Sequence, residues 1–196
     1  MTRTAQEPAV SGEREAEQQQ RHARVLDAAA QLASEGGYEA VQMRAVAERA
    51  DVAIGTLYRY VGSKDELLLR CLERFIDDVT LTLGRSDGRT DTPAEELLGS
   101  IADRLTEDFG LTSALVKAFT STSAETKATR ERLQSTTSSL FSSLFAHRDA
   151  AFAGRASRVL GHVCFSSLVR LAGGDDSIDL AEEIGEAVRL ILDSEG

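Results

Sequence analysis

The chain has 196 residues, of which 42% are hydrophobic, with only two prolines and no tryptophan, a composition that favours a helical globular protein. Its formal net charge of −10 promotes solubility and does not exclude a local cationic face. No apolar run approaches the roughly 20 residues that span a bilayer and the polar N-terminus lacks a signal-peptide core, so we expect a cytoplasmic protein with no membrane partner.

The N-terminal part of the chain divides into a polar segment and a helical one. Residues 1–17, MTRTAQEPAVSGEREAE, are polar and lack hydrophobic periodicity, and we predict a flexible tail there. From about Gln18, apolar residues recur at three- and four-residue spacing, which predicts a helix. Gly36 and Gly37 follow, and a glycine pair in this position indicates that the helix ends in a left-handed cap.

Two short helices are predicted next, over residues 43–50 and 54–61, with a tight turn at Asp51 between them. Two short helices joined by about four residues form a helix-turn-helix. The second has the sequence IGTLYRYV, in which Leu57 is expected to face the core. Residues 40–64 reverse the charge of the whole chain, because four basic residues stand there against two acidic ones, or +2.

A fourth helix begins with a clear N-terminal signal. The run Ser-Lys-Asp-Glu at residues 63–66 is a capping box, in which Ser63 accepts from the amide of Glu66 and the Glu66 carboxylate reaches back to Ser63. An apolar face continues to about residue 84. The charged run at residues 85–92 is expected to be a loop.

The remaining pattern is helical throughout, without a strand-like alternation of any length. Helices are expected over residues 93–109, 112–122, 125–145, 149–172 and 180–192. We therefore predict an all-α fold of about nine helices, in which a three-helix helix-turn-helix domain precedes a larger helical domain.

The second helix of the helix-turn-helix and the start of the next helix carry groups that hold phosphate. Tyrosine and threonine hydroxyls donate to phosphate oxygens, and Thr56, Tyr58 and Tyr60 can project outward. Lys64 places an ammonium beside the exposed amides of a helix start, which is a favourable phosphate site. An amphipathic helical hairpin that only covers the edge of a core would show similar residues, and the pattern alone leaves that alternative open.

Two further positions bear on close approach to DNA. Gly55 removes a side chain where the backbone would come near the duplex. Arg44 opens the preceding helix, where its guanidinium could reach guanine O6 and N7.

The segment GYEAVQMRAVAERADVAIGTLYRYVGSKDELL, residues 37–68, resembles the DNA-binding signature of the TetR family of transcriptional regulators. The resemblance covers about residues 20–70, and its combination of Gly-Thr-Leu-Tyr-Arg-Tyr with Ser-Lys-Asp-Glu-Leu-Leu is highly specific. Within it, the block QMRAVAERADVA followed by GTLYRY is also similar to the repressors of actinobacterial cholesterol breakdown.

This resemblance implies an all-helical homodimer that binds a palindromic operator in double-stranded DNA. The DNA-binding domain would be residues 18–62, and residues 63–196 would hold a ligand pocket and a dimer face. A small-molecule effector would release such a repressor from its operator.

By position, the resemblance implies phosphate contacts for Thr56, Tyr58, Tyr60 and Lys64, and a base contact for Arg44. Ile54 stands where the family commonly has a polar residue, and we expect it to touch a thymine methyl group or to lie in solvent. The residues predicted to bind DNA are Arg44, Ile54, Gly55, Thr56, Tyr58, Tyr60 and Lys64.

The second half of the chain shows no family motif, and its hydrophobic pattern alone supplies candidates, each of which could simply belong to the core. The pocket candidates are Phe75, Val79, Leu105, Phe109, Val116, Phe119, Leu140, Phe141, Leu144 and Phe145. No basic cluster able to hold a free phosphate is present, so we expect a hydrophobic effector. The relatives suggest a lipid- or sterol-derived molecule, including a coenzyme A thioester.

The last two predicted helices carry apolar faces wide enough for both a core and a partner. The resemblance implies that they form a four-helix dimer face, two helices from each subunit. The residues predicted for this face are Val159, Val163, Leu180, Ile184, Val188 and Ile191.

No metal ion, cofactor or catalytic residue is predicted. Cys71 and Cys164 are too few and too isolated for a zinc site, and the chain has no nucleophile motif or glycine-rich phosphate loop that would favour an enzyme. A helical protein-interaction module without specific DNA binding is the other alternative. Salt-sensitive binding to a palindromic duplex separates that alternative from a regulator.

Overall fold

The structure is a computed structural model that describes residues 7–85 and 94–193. Within these ranges the chain forms nine α-helices and no strand, which confirms the predicted all-α fold. The helices are α1 (Glu7–Ala40), α2 (Met43–Arg49), α3 (Ile54–Tyr60), α4 (Lys64–Arg85), α5 (Ala94–Glu107), α6 (Phe109–Thr120), α7 (Lys127–Leu144), α8 (Ala150–Ala172) and α9 (Leu180–Asp193). No helix in this part of the chain combines the length and the apolar character that crossing a bilayer requires.

Helix α1 begins at Glu7 and not near Gln18, so residues 7–17 of the predicted tail are helical; residues 1–6 lie outside the described ranges. This segment is rich in Glu and also contains Ala, both of which are good helix formers. An ion pair of 3.9 Å between Glu17 and Arg21, one turn apart, adds local support. The sequence did not predict this extension because these residues carry no apolar stripe.

The glycine pair ends the regular part of α1, as predicted. Gly36 has φ −152° and Gly37 has φ +64° with ψ −161°, so neither residue is helical. The ψ of Gly37 differs from that of a left-handed cap, and the predicted cap geometry is therefore wrong. The positive φ favours glycine at this bend, after which Tyr38 and Glu39 lead the chain toward α2.

The bounds of α2 and α3 agree with the predicted helix-turn-helix to within one residue. Asp51 has φ +53° in the turn between them. Leu57 is fully buried, together with Val46 of α2 and Val61 after α3. These apolar contacts hold α3 against the rest of the domain by one face and leave its other face outward.

The predicted capping box at the start of α4 forms with one change of partner. The Glu66 amide donates to Ser63 Oγ at 3.2 Å, as expected. The Glu66 carboxylate, however, accepts from the amide of Gly62 at 2.8 Å and not from that of Ser63. Its other oxygen pairs with Arg70 at 2.9 Å, so Glu66 joins the turn before α4 to the helix itself.

Helix α4 runs through Arg85, and the rest of the predicted 85–92 loop lies outside the described ranges. Asp108 separates α5 from α6, because its carboxylate accepts from the Leu111 amide at 3.0 Å and caps α6. Phe109 is therefore the first residue of α6 and not the end of the preceding helix.

Helix α6 packs directly against the end of α1. A Cβ atom added at Gly110 would lie 2.7 Å from the carbonyl oxygen of Ser34 and 2.8 Å from that of Ala33. The Ser34 hydroxyl also donates to the Asp108 carboxylate at 2.5 Å. The helix-turn-helix and the larger helical domain are therefore joined by a close backbone approach, which places α6 between the two.

Candidate nucleic-acid interface and ligand cavity

Helix α3 presents part of its surface to solvent. Tyr58 is 54% exposed, and Ile54, one turn before it on the same face, is also exposed. Gly55 is exposed with nothing within 4 Å of where a side chain would begin. Arg44, on α2, is exposed as well. These four predicted positions are thus accessible to a duplex.

Thr56 and Tyr60 are half-buried and have neighbours within the protein. The Arg59 guanidinium donates to the Thr56 hydroxyl at 3.4 Å. The Tyr60 ring lies 5.6 Å from the ring of His22, which α1 contributes. Burial, together with the nearby Arg70 and Arg74 guanidinium groups, lowers the pKa of His22 and favours its neutral form. The contact of His22 with Tyr60 could not be predicted, since nothing in the local sequence connects His22 to α3.

Lys64 is held in place by the segment that follows the bend of α1. Its ammonium donates to the Tyr38 carbonyl at 3.1 Å and lies 3.7 Å from the centre of the Tyr38 ring. Its distance to a Glu39 carboxylate oxygen is 3.9 Å. Lys64 lies at the start of α4, as predicted. Its partners were not predicted because they lie about 25 residues earlier in the chain.

A cavity of about 540 Å³ lies between helices α4 to α9. Seven of the ten predicted pocket residues line it, namely Phe75, Val79, Leu105, Val116, Phe119, Leu140 and Phe141. The wall is apolar, and its buried hydroxyls are already paired: Thr112 donates to the Leu105 carbonyl at 2.6 Å, and Ser157 to the Ser138 carbonyl at 2.9 Å. The interior therefore suits an apolar group.

The other three pocket candidates do not line the cavity, so their assignment is wrong. Phe109 is 47% exposed because it begins α6. Phe145 is fully buried near the end of α7 and packs edge-on against Phe152, with ring centres 6.0 Å apart. Leu144 is half-buried against the core beside it. An apolar stripe does not show which of its residues face a void.

The cavity opens between α7 and α8. Its exposed lining residues define what we call the cavity mouth: Gln134, Ser138, Arg158, His162 and Phe165. The His162 ring donates from Nδ1 to the Arg158 carbonyl at 2.6 Å. Within the described part of the chain, the Arg158 guanidinium has no hydrogen bond or ion pair. The mouth thus joins an apolar interior to a polar rim with one cationic group.

The predicted dimer face is only partly exposed. Leu180, Ile184 and Val188 are buried in the core of the subunit, and their assignment to a dimer face is wrong. They recur every four residues and point inward together, whereas Leu190, two residues beyond Val188, is 64% exposed.

A shallow groove between α8 and α9 contains the other three predicted residues. Val159 is exposed, and Val163 and Ile191 are half-buried. We call this surface the α8–α9 groove; it is lined by Phe152, Arg155, Ala156, Val159, Val163, Ala187, Leu190 and Ile191.

Both cysteines are buried free thiols. Burial raises the pKa of Cys71 and that of Cys164 to about 12, so neither is a thiolate at neutral pH. Among the residues that the structure describes, no three His, Cys, Asp or Glu side chains come together as metal ligands.

Comparison with known families matches the chain in two parts. Residues 25–71 match the family described as bacterial regulatory proteins of the tetR family. Residues 90–191 match the tetracyclin repressor-like C-terminal domain. The two matches together cover both the helix-turn-helix and the helices around the cavity.

Individual proteins show the same similarity. The chain is 38% identical over 178 residues to the HTH-type transcriptional repressor KstR of Rhodococcus jostii, which is 89% of this chain and 84% of that protein. A TetR transcriptional regulator from Rhodococcus sp. RHA1 superposes with a TM-score of 0.77 at 27% identity, over 92% of this chain and 100% of that one. FadR of Thermus thermophilus, crystallised with lauroyl-CoA, has the same fold, with a TM-score of 0.65 at 22% identity over 89% of this chain and 95% of its own.

Proposed function

This chain belongs to the TetR family of bacterial transcriptional regulators, and from that premise we propose that it is a dimeric repressor released from a palindromic operator by a hydrophobic small molecule. The observation that carries the proposal is the apolar cavity of about 540 Å³, one wall of which is α6. The same helix contacts α1 through Gly110. A ligand in the cavity therefore touches the helix that supports the DNA-binding domain.

The proposed DNA-binding domain is residues 18–62, and Lys64 adds the start of α4 to its surface. Tyr58 and Lys64, with Thr56 and Tyr60, would hold operator phosphates and set the register of α3 in the major groove. Arg44 and Ile54 would contact bases, since a guanidinium suits guanine and a branched alkyl group suits the thymine methyl. The exposure of Ile54, Tyr58 and Arg44 supports this assignment.

The proposed effector is a lipid- or sterol-derived molecule that binds as its coenzyme A thioester. A volume of about 540 Å³ lies in the usual range of about 300–1,000 Å³ for ligand pockets. It suits the apolar part of such a thioester and leaves the coenzyme A part outside the cavity mouth, near Arg158. The resemblance of the DNA-reading segment to the cholesterol-breakdown repressors favours a sterol-derived group. The T. thermophilus FadR–lauroyl-CoA structure shows that a protein of this fold accommodates an acyl thioester.

The proposed release mechanism is a population shift between two arrangements of the dimer. The DNA-competent state holds the two α3 helices about 34–36 Å apart, one helical turn of DNA. A ligand that contacts Leu115, Val116 and Phe119 of α6 would favour a state in which α6 shifts and tilts the DNA-binding domains. The ligand must bind that state better by a few kcal/mol to act as a switch.

The proposed dimer face is the α8–α9 groove. Val159 and Leu190 are large exposed apolar side chains there, and exposed apolar patches of this kind mark contact surfaces. A second copy of the chain, related by a two-fold axis, would cover them and match the symmetry of a palindromic operator.

Selection of fragments from the source genome at physiological salt tests this function. We expect the wild-type protein to enrich fragments that share one palindromic sequence, and the Lys64→Ala variant to enrich them less. Uniform recovery of all fragments would instead indicate sequence-independent binding. Recovery of none would favour a helical protein-interaction module without specific DNA binding.

A further inference from the structure

The Tyr38 side chain lies at a junction of three helices. Its ring centre is 3.7 Å from the Lys64 ammonium of α4 and 4.3 Å from the Lys117 ammonium of α6. Its hydroxyl donates to Asp65 at 2.5 Å. Burial and the Asp65 hydrogen bond raise the pKa of Tyr38 to about 12, so the hydroxyl remains a donor at neutral pH. The ring is therefore a fixed surface against which both ammonium groups lie.

The neighbouring Glu39 carboxylate is shared unequally between the same two lysines. One oxygen accepts a hydrogen bond from Lys117 at 2.7 Å, whereas the other lies 3.9 Å from Lys64. The hydrogen bond from Lys117 lowers the pKa of Glu39, which keeps the carboxylate charged. Without Lys117, the Glu39 carboxylate would have Lys64 as its remaining cationic partner.

Lys117 also belongs to the helix that the cavity ligand would contact. It directly follows Val116, which lines the cavity, and it lies between Leu115 and Phe119, two further lining residues of α6. A shift of α6 therefore moves the Lys117 ammonium relative to Glu39, which follows the glycine bend near the end of α1.

We propose that Lys117 is a positioning residue for operator binding, which acts by keeping the Glu39 carboxylate away from Lys64. This inference rests on the proposed function, in which Lys64 holds an operator phosphate. When α6 shifts, Glu39 loses Lys117 and pairs with Lys64, whose ammonium is then neutralised. Each half-site loses one phosphate contact as a result, and the operator is released more easily.

Four variants test this assignment, all measured without ligand on the operator fragment from the genomic selection: Lys117→Gln, Glu39→Gln, the double variant, and Lys127→Gln as a control. Lys127 is an exposed lysine of α7 whose nearest acid, Glu131, is 3.9 Å away. Fluorescence anisotropy at several salt concentrations gives the affinity and its salt dependence, and circular dichroism checks folding.

We expect Lys117→Gln to weaken operator binding about threefold to tenfold, as the loss of an exposed charge interaction in each subunit of a dimer would do, and to make the salt dependence shallower. The double variant should return to within about twofold of the wild type, because Glu39→Gln removes the anion that competes for Lys64. Glu39→Gln alone should bind at least as well as the wild type, and Lys127→Gln should match it.

Two results would overturn this inference and leave the proposed function standing. One is a Lys117→Gln variant that behaves like the control; the other is a double variant that binds as weakly as Lys117→Gln, which would assign Lys117 a purely structural role or a direct phosphate contact. If the wild-type protein binds no DNA, or if Lys64→Ala binds as well as the wild type, the fault lies in the proposed function.

Discussion

Tyr58 and Lys64 offer phosphate two different kinds of group. The Tyr58 hydroxyl extends from an exposed ring on α3, whereas the Lys64 ammonium is held against the Tyr38 ring and carbonyl at the start of α4. A hydroxyl contributes a neutral hydrogen bond, and an ammonium contributes charge and counterion release. The two side chains should therefore differ in how salt affects their contribution.

Substitution of the two residues separates these contributions. Tyr58→Phe should weaken operator binding with little change in salt dependence. Lys64→Ala should weaken it and reduce the slope of log affinity against log salt by about 0.9 per phosphate, or roughly 2 for a dimer. Anisotropy titrations at several salt concentrations measure both, with Lys127→Ala as the control. Unchanged binding by both variants at moderate salt would contradict their assignment to the interface.

The position of single residues was predictable where helical spacing decides it. Leu57 is buried and Tyr58 exposed because adjacent residues on a helix lie about 100° apart. Spacing could not show that Leu180, Ile184 and Val188 serve the subunit core and not a partner, since both uses need the same apolar stripe. It also could not reveal the contact of Lys64 with Tyr38, which depends on tertiary packing.

At the scale of the helices, the contact between α6 and α1 depends on the absence of a side chain at Gly110. A methyl group there would meet two backbone carbonyl oxygens at 2.7 and 2.8 Å, and backbone cannot move aside as a flexible side chain can. Gly110→Ala should therefore reduce the free energy of unfolding by about 1–3 kcal/mol, as overpacking usually does. Thermal or urea unfolding followed by circular dichroism measures this loss.

Gly154→Ala is the matched control for that substitution. Gly154 lies within α8 with nothing inside 4 Å of the new methyl group. Alanine favours a helix over glycine by about 0.8–1 kcal/mol, so this variant should be slightly more stable than the wild type. An equal effect of the two substitutions would show that α6 and α1 are not in close backbone contact at Gly110.

Most helix bounds were predictable to within about three residues, because capping residues and glycines mark them locally. The start of α1 was not, since the sequence of its first turns carries no apolar stripe. The start of α6 was missed because Asp108 caps it inside an apolar run that continues the pattern of α5. The cavity mouth was not predicted either: Gln134 and Arg158 resemble ordinary surface residues until α7 and α8 are placed side by side.

At the scale of the whole molecule, the α8–α9 groove carries the proposed assembly. Leu190 is 64% exposed in this groove and Leu81 of α4 is 60% exposed outside it. Leu190→Asp should convert the dimer to a folded monomer with much weaker operator binding, because a charge would be buried at the interface. Leu81→Asp should remain dimeric. Sedimentation velocity measures both, and a dimer of undiminished stability in Leu190→Asp would place the interface elsewhere.

The most direct test of a ligand-controlled repressor is release of the operator complex by defined molecules. Lauroyl-CoA, stearoyl-CoA and a sterol-acid coenzyme A thioester are titrated against the complex, with free coenzyme A as the control and Gly161→Leu as a second protein. The site for a side chain at Gly161 lies 3.8 Å from the Phe141 ring in the cavity wall, so leucine should fill ligand space and leave operator binding intact. We expect at least one thioester to release the wild-type protein, with free coenzyme A inactive and Gly161→Leu resistant. Release by a small polar metabolite, with every thioester inactive, would contradict the proposal that a hydrophobic molecule releases this repressor from its operator.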